Sequence, residues 1–141
     1  MTIEATYYKN YVDDGATCSD QVDGVISQQV EVSGDIVSLS KVGTYKITYK
    51  CKDAAGNAAD PSTRTVVVKD TTCPTCTITG DASVKREASF PYSDLGAVCT
   101  DNIDGNLGAA KVAGAFDVEK VGTYKLTYTT RDESGNAQCK D

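Results

Sequence analysis

The chain has 141 residues, a net charge of −6 at pH 7, and neither histidine nor tryptophan. The lack of histidine excludes imidazole metal sites and histidine-based acid–base or triad catalysis, and the negative charge disfavours a nucleic-acid partner, because phosphates need a basic surface. Hydrophobic residues make up 40% of the chain, which is enough for small cores, yet no apolar run is long enough to cross a bilayer.

Short β-strands separated by turns are predicted along the chain, because apolar and polar residues alternate and no segment shows a helical period. In chain order, the clearest strand signals lie at 44–49, 64–69 and 115–119. Glycine-containing turns such as Asp23-Gly24 and Asp104-Gly105 separate the strands. The pattern predicts an all-β fold, with a β-sandwich of about seven strands in each repeat described next.

Three motifs occur twice, at offsets of 79 to 81 residues. KVGTYKITY at 41–49 returns as KVGTYKLTY at 120–128, GATCSDQVDG from Gly15 returns as GAVCTDNIDG from Gly96, and the D-x-x-G-N turn at 53–57 returns at 132–136. A unit of about 80 residues is at the small end of domain size. The repeats therefore predict two domains, 1–69 and 70–141.

Together with the VVVKDTTCP segment at 66–74, these motifs resemble the bacterial-type Ig-like repeats of the hyalin-like and insecticidal-crystal-protein Ig-like families. The resemblance covers both repeats and implies two tandem immunoglobulin-like Greek-key β-sandwiches. It also implies a non-catalytic extracellular module of a surface adhesin, stalk or filament protein. The implied partners are neighbouring copies or flanking repeats of the same protein.

Six cysteines favour disulfide bonds and an oxidising compartment, although the count would also permit a thiolate metal site. The only CxxC, at 73–76, has no second CxxC to complete a four-thiolate zinc site. By the resemblance, Cys18 and Cys51 lie at the same pole of the first sandwich and pair with each other. Two bridges in three possible pairings remain open for the other cysteines, which are Cys73, Cys76, Cys99 and Cys139.

An extracellular or cell-surface location follows from the expected disulfides. Met1 is followed by neither a basic region nor an apolar segment, so a signal peptide is not predicted in this sequence. Export would need a leader outside it.

Acidic residues in the linker and in two loops of the second repeat suggest a calcium site. By the resemblance, its loops and the linker meet at one pole, where a cation would make the joint between the domains rigid. Calcium takes six to eight oxygen ligands. The alternative is that Asp and Asn occur here because they hydrogen-bond their own backbone in turns. The candidate ligands are Asp70, Asp101, Asn102, Asp104 and Asp132.

A carbohydrate-binding accessory module is the alternative function. Tyr7, Tyr8 and Tyr11 cluster near the start of the chain and could stack against sugar rings. The competing interpretation is that these are ordinary strand tyrosines with one packed edge. Paired carboxylates are present, but they lie in turn motifs that occur in both repeats, so glycoside hydrolysis and enzyme activity in general are not expected.

Aligned with each other, the repeats leave the first without a counterpart of 73–81 and the second without a counterpart of 63–69. One interpretation is that the sequence is a piece of a longer repeat protein. The other is that open strand edges accept strands from neighbouring copies, since an exposed edge is a template for pairing.

Overall fold

The computed structural model describes residues 1–139, and the chain forms two compact units, Met1–Asp70 (unit 1) and Thr71–Asp141 (unit 2). Apart from one short 3-10 turn at Ser27–Gln29, residues 1–139 contain strands, turns and loops, so the predicted all-β class is confirmed. No helix among these residues has the length and apolar character needed to span a membrane.

Unit 1 contains six strands, which form a four-stranded sheet and a small two-stranded ribbon. The sheet has the order β1-β6-β5-β4, with β1 parallel to β6 and the other neighbours antiparallel, and β2 and β3 form the ribbon. The strands are β1 (Thr2–Glu4), β2 (Ser19–Asp20), β3 (Gly24–Val25), β4 (Glu31–Gly34), β5 (Gly43–Lys50) and β6 (Ser62–Lys69).

The core of unit 1 forms where β5 and β6 pair. Alternate residues face inward, so Ile47 and Tyr49 of β5 are each 5% exposed, and Val66 and Val68 of β6 are fully buried. Burying a valine side chain contributes about 2 kcal/mol relative to leaving it in water. The predicted strands at 44–49 and 64–69 are confirmed in this unit, each slightly longer than its sequence signal.

Over its described residues, 71–139, unit 2 contains five strands in two separate sheets. One sheet has the order β7-β8-β9 and the other pairs β10 with β11, and all neighbours are antiparallel. Its most buried side chains include Ala97 and Cys99 of β8. The strands are β7 (Thr75–Ile78), β8 (Ala97–Asp101), β9 (Gly105–Ala109), β10 (Lys111–Ala113) and β11 (Thr127–Thr129).

The strand predicted at 115–119 is wrong. The segment turns instead, because the carboxylate of Asp117 accepts the backbone N–H of Glu119 at 3.0 Å and its carbonyl oxygen accepts that of Lys120 at 3.3 Å. A short acidic side chain that bonds its own backbone two residues on favours a turn over a strand.

A glycine occupies the same critical place in each unit. Gly34 and Gly114 have φ angles of 104° and 103°, and a Cβ atom at either position would collide with the backbone carbonyl oxygen of Lys46 or Lys125, respectively. Only glycine combines this left-handed backbone with so close an approach of a neighbouring strand.

Candidate functional site

All six cysteines form disulfides, one in unit 1 and two in unit 2. None is available as a thiolate, so the alternative of a thiolate metal site is wrong. Of the three pairings left open by the sequence, the structure contains one. The bonds are Cys18–Cys51, Cys73–Cys139 and Cys76–Cys99.

The two disulfides of unit 2 reinforce different levels of its structure. Cys76 and Cys99 are direct register partners in β7 and β8, with Cα atoms 4.0 Å apart, so their bond crosslinks a strand pair. Cys73 and Cys139 are 66 residues apart in the chain. By loop-closure entropy, such bonds stabilise a fold by about 3 to 4 kcal/mol each.

A partly buried hydrogen bond between a tyrosine and a carboxylate recurs in both units. The hydroxyl of Tyr49 donates to Asp13 at 2.7 Å, and that of Tyr128 donates to Asp94 at 2.7 Å. Burial, together with the bond to Asp13, raises the pKa of Tyr49 to about 12. The bond to Asp94, together with burial, raises the pKa of Tyr128 to about 12. Each bond requires a neutral hydroxyl, so each tyrosine holds its proton more tightly.

Unit 1 adds an arginine to this pair. Arg64 of β6 forms an ion pair with Asp13, donates to the carbonyl oxygen of Gly15 at 2.9 Å, and lies 5.6 Å from the ring centroid of Tyr49. Burial alone would raise the pKa of Asp13, but hydrogen bonds from Tyr49 and Tyr11 and the charge of Arg64 together lower it. Three elements of unit 1 are therefore tied together at one carboxylate.

Sequence reasoning missed this carboxylate–tyrosine pair. The signal was present, since the pattern Tyr-x-Asp-x-Gly at 11–15 returns at 92–96. Its meaning depends on a contact between residues 36 positions apart in unit 1 and 34 in unit 2, which neither repeat reveals by itself.

Within unit 2 the structure brings together two of the five candidate calcium ligands. One carboxylate oxygen of Asp101 lies within 4.8 Å of one carboxylate oxygen of Asp132. Asp70, which directly follows β6, is 5% exposed, and Asp132 is 7% exposed. Oδ2 of Asp101 is buried and accepts no hydrogen bond from residues 1–139.

Two further candidates of unit 2 lie outside this pair of carboxylates. Oδ2 of Asp104 accepts the backbone N–H of Glu133 at 2.7 Å, and Asn102 is exposed. Asp104 therefore holds one loop against another within unit 2.

Turn chemistry explains part of what these aspartates do. Oδ1 of Asp101 accepts two backbone N–H groups of its own loop. The carboxylate of Asp132 accepts the backbone N–H and the side-chain amide N–H of Asn136. The same bonds occur in unit 1, where Asp20 and Asp53 take these roles. Backbone hydrogen bonds, first that of Asp23, lower the pKa of Asp20. The turns use these residues in both units.

The three candidate sugar-stacking tyrosines lie in the connection between β1 and β2, so their interpretation as strand residues is wrong. Tyr7 and Tyr8 are 62% and 92% exposed. Tyr11 is half-buried, and its hydroxyl donates to Asp13 at 3.2 Å. Tyr11 therefore binds the same carboxylate, Asp13, that Tyr49 and Arg64 bind.

Comparison with known proteins identifies a family and several relatives. The family model described as "Bacterial surface protein, Ig-like domain" matches residues 1–68 and 76–140. An uncharacterised 81.3 kDa protein of Acholeplasma phage L2 is 31% identical over 128 residues, which are 85% of this chain and 17% of that protein. Hyalin of Strongylocentrotus purpuratus is 34% identical over 103 residues, 67% of this chain and 8% of hyalin.

The pesticidal crystal protein Cry22Aa of Bacillus thuringiensis is 25% identical over 138 residues, 94% of this chain and 19% of that protein. The chain thus spans less than a fifth of the length of these relatives. A solved structure of CBM51-2 in complex with GlcNAc and INT domains, from Clostridium perfringens ZmpB, is 28% identical with a TM-score of 0.40. That match covers 61% of this chain and 20% of the other.

Proposed function

The chain belongs to the family of bacterial surface proteins with an Ig-like domain, and we propose that it serves as a non-catalytic spacer and interaction module of a surface adhesin, stalk or filament. The observation that carries the proposal is the serial arrangement of two family matches, at 1–68 and 76–140, each with at least one disulfide of its own. Neighbouring copies or flanking repeats of the same protein are its proposed partners.

The internal bonds of both units suit a spacer. A spacer has to keep its length and shape outside the cell, where chaperones are absent and disulfides persist. Each unit has at least one disulfide and one partly buried tyrosine–carboxylate bond. These features favour rigidity over the movable, partly exposed groups that catalysis needs.

Immunogold electron microscopy of the cells or particles that produce the protein tests this proposal. Antibodies raised against the 141-residue chain should label surface appendages or the outer surface of intact material. Antibody that has been pre-absorbed with the purified chain is the control. Label confined to the interior of permeabilised material would contradict the proposal.

Carbohydrate binding is the second candidate function, and the exposure of two adjacent aromatic side chains favours it. Tyr7 and Tyr8 present ring faces that a sugar could stack on. Binding on a glycan array should be lost when both are replaced by alanine. Phe90→Ala is a matched control, because Phe90 is 62% exposed and belongs to the other unit. Glycan binding that survives the double replacement would exclude these tyrosines.

A further inference from the structure

One edge of the four-stranded sheet in unit 1 is open. The strand β4 pairs with β5 on one side, and no strand among residues 1–139 pairs with its other side. The backbone N–H of Asp35, just after β4, donates to the carbonyl oxygen of Lys46 at 2.8 Å. Because successive residues of an antiparallel strand turn their backbone groups to alternate sides, Val32 and Gly34 turn theirs away from β5. These outward N–H and C=O groups form a template for a further strand.

The open edge is a property of the repeat, and in unit 1 it is formed by residues in the middle of the unit. In unit 2 the strand at the same place, β10, pairs with β11 and has no partner on its other side among residues 71–139. All four residues of β4 are exposed. Such a short edge bonds only a few residues of an added segment, so specificity has to come from side chains.

A cleft beside β4 offers a place for one such side chain. Its volume is about 290 Å³, and its lining includes Tyr11, Ile47, two residues of β4 and the segment 35–37. Gly34 is part of the lining, and because it has no side chain it leaves space beside the strand. Ile36, which also lines the cleft, is 93% exposed. The cleft therefore lies open to solvent next to the open edge.

In unit 2 the corresponding place holds an aromatic ring of the chain itself. Tyr92, the counterpart of Tyr11, is in edge-to-face contact with Phe116, and their ring centroids are 5.2 Å apart. At the offset of 79 residues, Phe116 aligns with Val37, a smaller residue that lines the cleft of unit 1. Unit 2 thus indicates what the cleft of unit 1 accepts, which is an aromatic ring packed against the tyrosine.

The segment 6–10 of unit 1, the donor segment, has side chains that fit this edge. It lies between β1 and β2 and belongs to no strand. Tyr8 is 92% exposed, and the adjacent Lys9 is also exposed. The backbone N–H of Tyr8 donates to the hydroxyl oxygen of Thr6 at 3.2 Å, a local bond that a strand partner can replace. In an extended segment, Tyr8 and Lys9 point to opposite faces.

We propose that the donor segment of a neighbouring copy adds to the open edge of β4 as an antiparallel strand. Tyr8 lies opposite Gly34 and places its ring in the cleft, as Phe116 does within unit 2. The inference rests on the proposed function, since it names the surfaces through which neighbouring copies join.

Charge selects the donor segment over other occupants. With Tyr8 opposite Gly34, Lys9 lies opposite Ser33 and diagonal to Glu31 and Asp35, which are both exposed. Diagonal neighbours across two strands are within reach of a lysine side chain. A second β4 strand at the same edge would bring Glu31 and Asp35 of the two copies together, and like charges facing each other destabilise a strand pair.

Each copy carries one donor segment and one open edge. The contact is therefore heterologous, and copies join head to tail into rings or open chains. A contact made by a five-residue segment is small and reversible, and it gains strength where many copies are held in series.

Two variants of the complete 141-residue chain test the proposal by sedimentation velocity. Tyr8→Ala with Lys9→Glu removes the donor and keeps the edge. Glu31→Lys with Val32→Pro keeps the donor and blocks the edge, because the proline removes an N–H that points away from β5. The sedimentation coefficient of the unmodified chain should rise with concentration. Each variant alone should stay monomeric, and an equimolar mixture of the two should form one-to-one dimers.

Hydrogen exchange and single replacements locate the contact. In the mixture, exchange should slow at the outward amides of Val32 and Gly34 of the variant with the intact edge. Lys9→Glu alone should weaken association roughly tenfold, since a like charge then faces two carboxylates. Lys85→Glu makes the same charge change at an exposed position of unit 2 and should leave association unchanged. Circular dichroism confirms that each variant is folded.

A sedimentation coefficient that stays constant with concentration, or a mixture that forms no dimers, would overturn the proposal. Association that persists in both variants alone would do the same, because another surface would then be responsible. The failures are distinguishable, because sedimentation reports on the edge wherever the protein resides, and immunogold labelling reports on location whether or not the edge binds.

Discussion

The two units have similar sequences, but their longer strands form in different parts of the repeat. In unit 1 the sheet that contains β5 has four strands, while the segment GATCSD contributes only the two-residue strand β2. In unit 2 the related segment GAVCTD contains the five-residue strand β8 between β7 and β9, while the counterpart of β5 is reduced to the three-residue β11. The difference teaches that strand length here follows the presence of a partner strand rather than the local sequence.

Disulfide removal should lower the free energy of unfolding more than any other change and should do so in both units. The double replacement Cys73→Ala and Cys139→Ala should lower the free energy of unfolding by about 4 kcal/mol, because a loop of 66 residues is released. The matched pair Cys18→Ala and Cys51→Ala releases 33 residues and should lower it slightly less. Urea unfolding of each variant is the measurement. An unchanged midpoint would show that strand contacts and the Cys76–Cys99 bond are enough to hold unit 2.

Replacing Gly34 and Gly114 should give the next largest effects, and these should differ between the units. Gly34→Ala should lower the stability of unit 1 by about 2 kcal/mol, since the new Cβ collides with the carbonyl oxygen of Lys46 in a strand fixed from both sides. Gly114→Ala should have a smaller effect, because Lys125, whose carbonyl oxygen the new Cβ meets, lies outside β11 and can shift. Thermal unfolding followed by circular dichroism measures both, and a larger effect at Gly114 would reverse this interpretation.

The carboxylates that bind the two tyrosines should also differ. Asp13→Asn should lower stability by about 2 kcal/mol, since it weakens bonds to Tyr49 and Arg64 together. Asp94→Asn affects Tyr128 alone and should have a smaller effect. Urea unfolding at pH 7 compares the two variants. Equal losses would mean that the arginine adds nothing to unit 1.

Alkaline pH should weaken both units through the same tyrosines. The pKa of Tyr49 and of Tyr128 is raised from 10.0 to about 12 in the folded chain, so the folded state holds these protons more tightly than the unfolded state. The resulting stability is fully present below pH 10 and is lost as the pH rises through 12. Urea midpoints across this range should fall, and less so for Tyr49→Phe with Tyr128→Phe. An equal fall in the double variant would assign the effect elsewhere.

Calcium binding stays a prediction, with the smallest expected effect. Sites in extracellular modules bind calcium with dissociation constants of about 10⁻⁴ to 10⁻³ M, so 5 mM calcium should stabilise the chain by about 1 to 2 kcal/mol. Asp101→Asn should abolish the rise in melting temperature, and Asp20→Asn, the same turn position in unit 1, should not. No rise at millimolar calcium would leave turn formation as the role of these aspartates.

Sequence alone predicted the fold class because alternation of apolar and polar residues is a local property. The strand at 64–69 could be predicted without knowing its partner strand, because a run of three valines favours the extended conformation. Strand lengths could not be predicted in this way, as the shortening of β11 relative to β5 shows. The segment 115–119 misled because its alternation is real, while the turn bond of Asp117 decides its conformation.

Some features of the candidate sites could likewise be predicted from the sequence, whereas others depended on the fold. The candidate calcium ligands could be proposed from the recurring loops, and two of them in unit 2, Asp101 and Asp132, do lie together. The bond between Cys76 and Cys99 could not be chosen before the register of β7 and β8 was known. Arg64 and Asp13 are 51 residues apart, and only the fold brings their charges into contact.

The Cys73–Cys139 disulfide determines how unit 2 carries tension along the chain. A pull along the chain that enters at Cys73 leaves through the sulfur bridge at Cys139, so the 66 residues of separation are bypassed. About 220 Å of contour length is thereby withheld from extension, even if every strand between the two cysteines separates. In unit 1 the bridge shelters 33 residues, about 110 Å, and the segments outside it can still lengthen. Under oxidising conditions, residues 73–139 behave as an inextensible link, whereas residues 1–17 and 52–70 of unit 1 can yield.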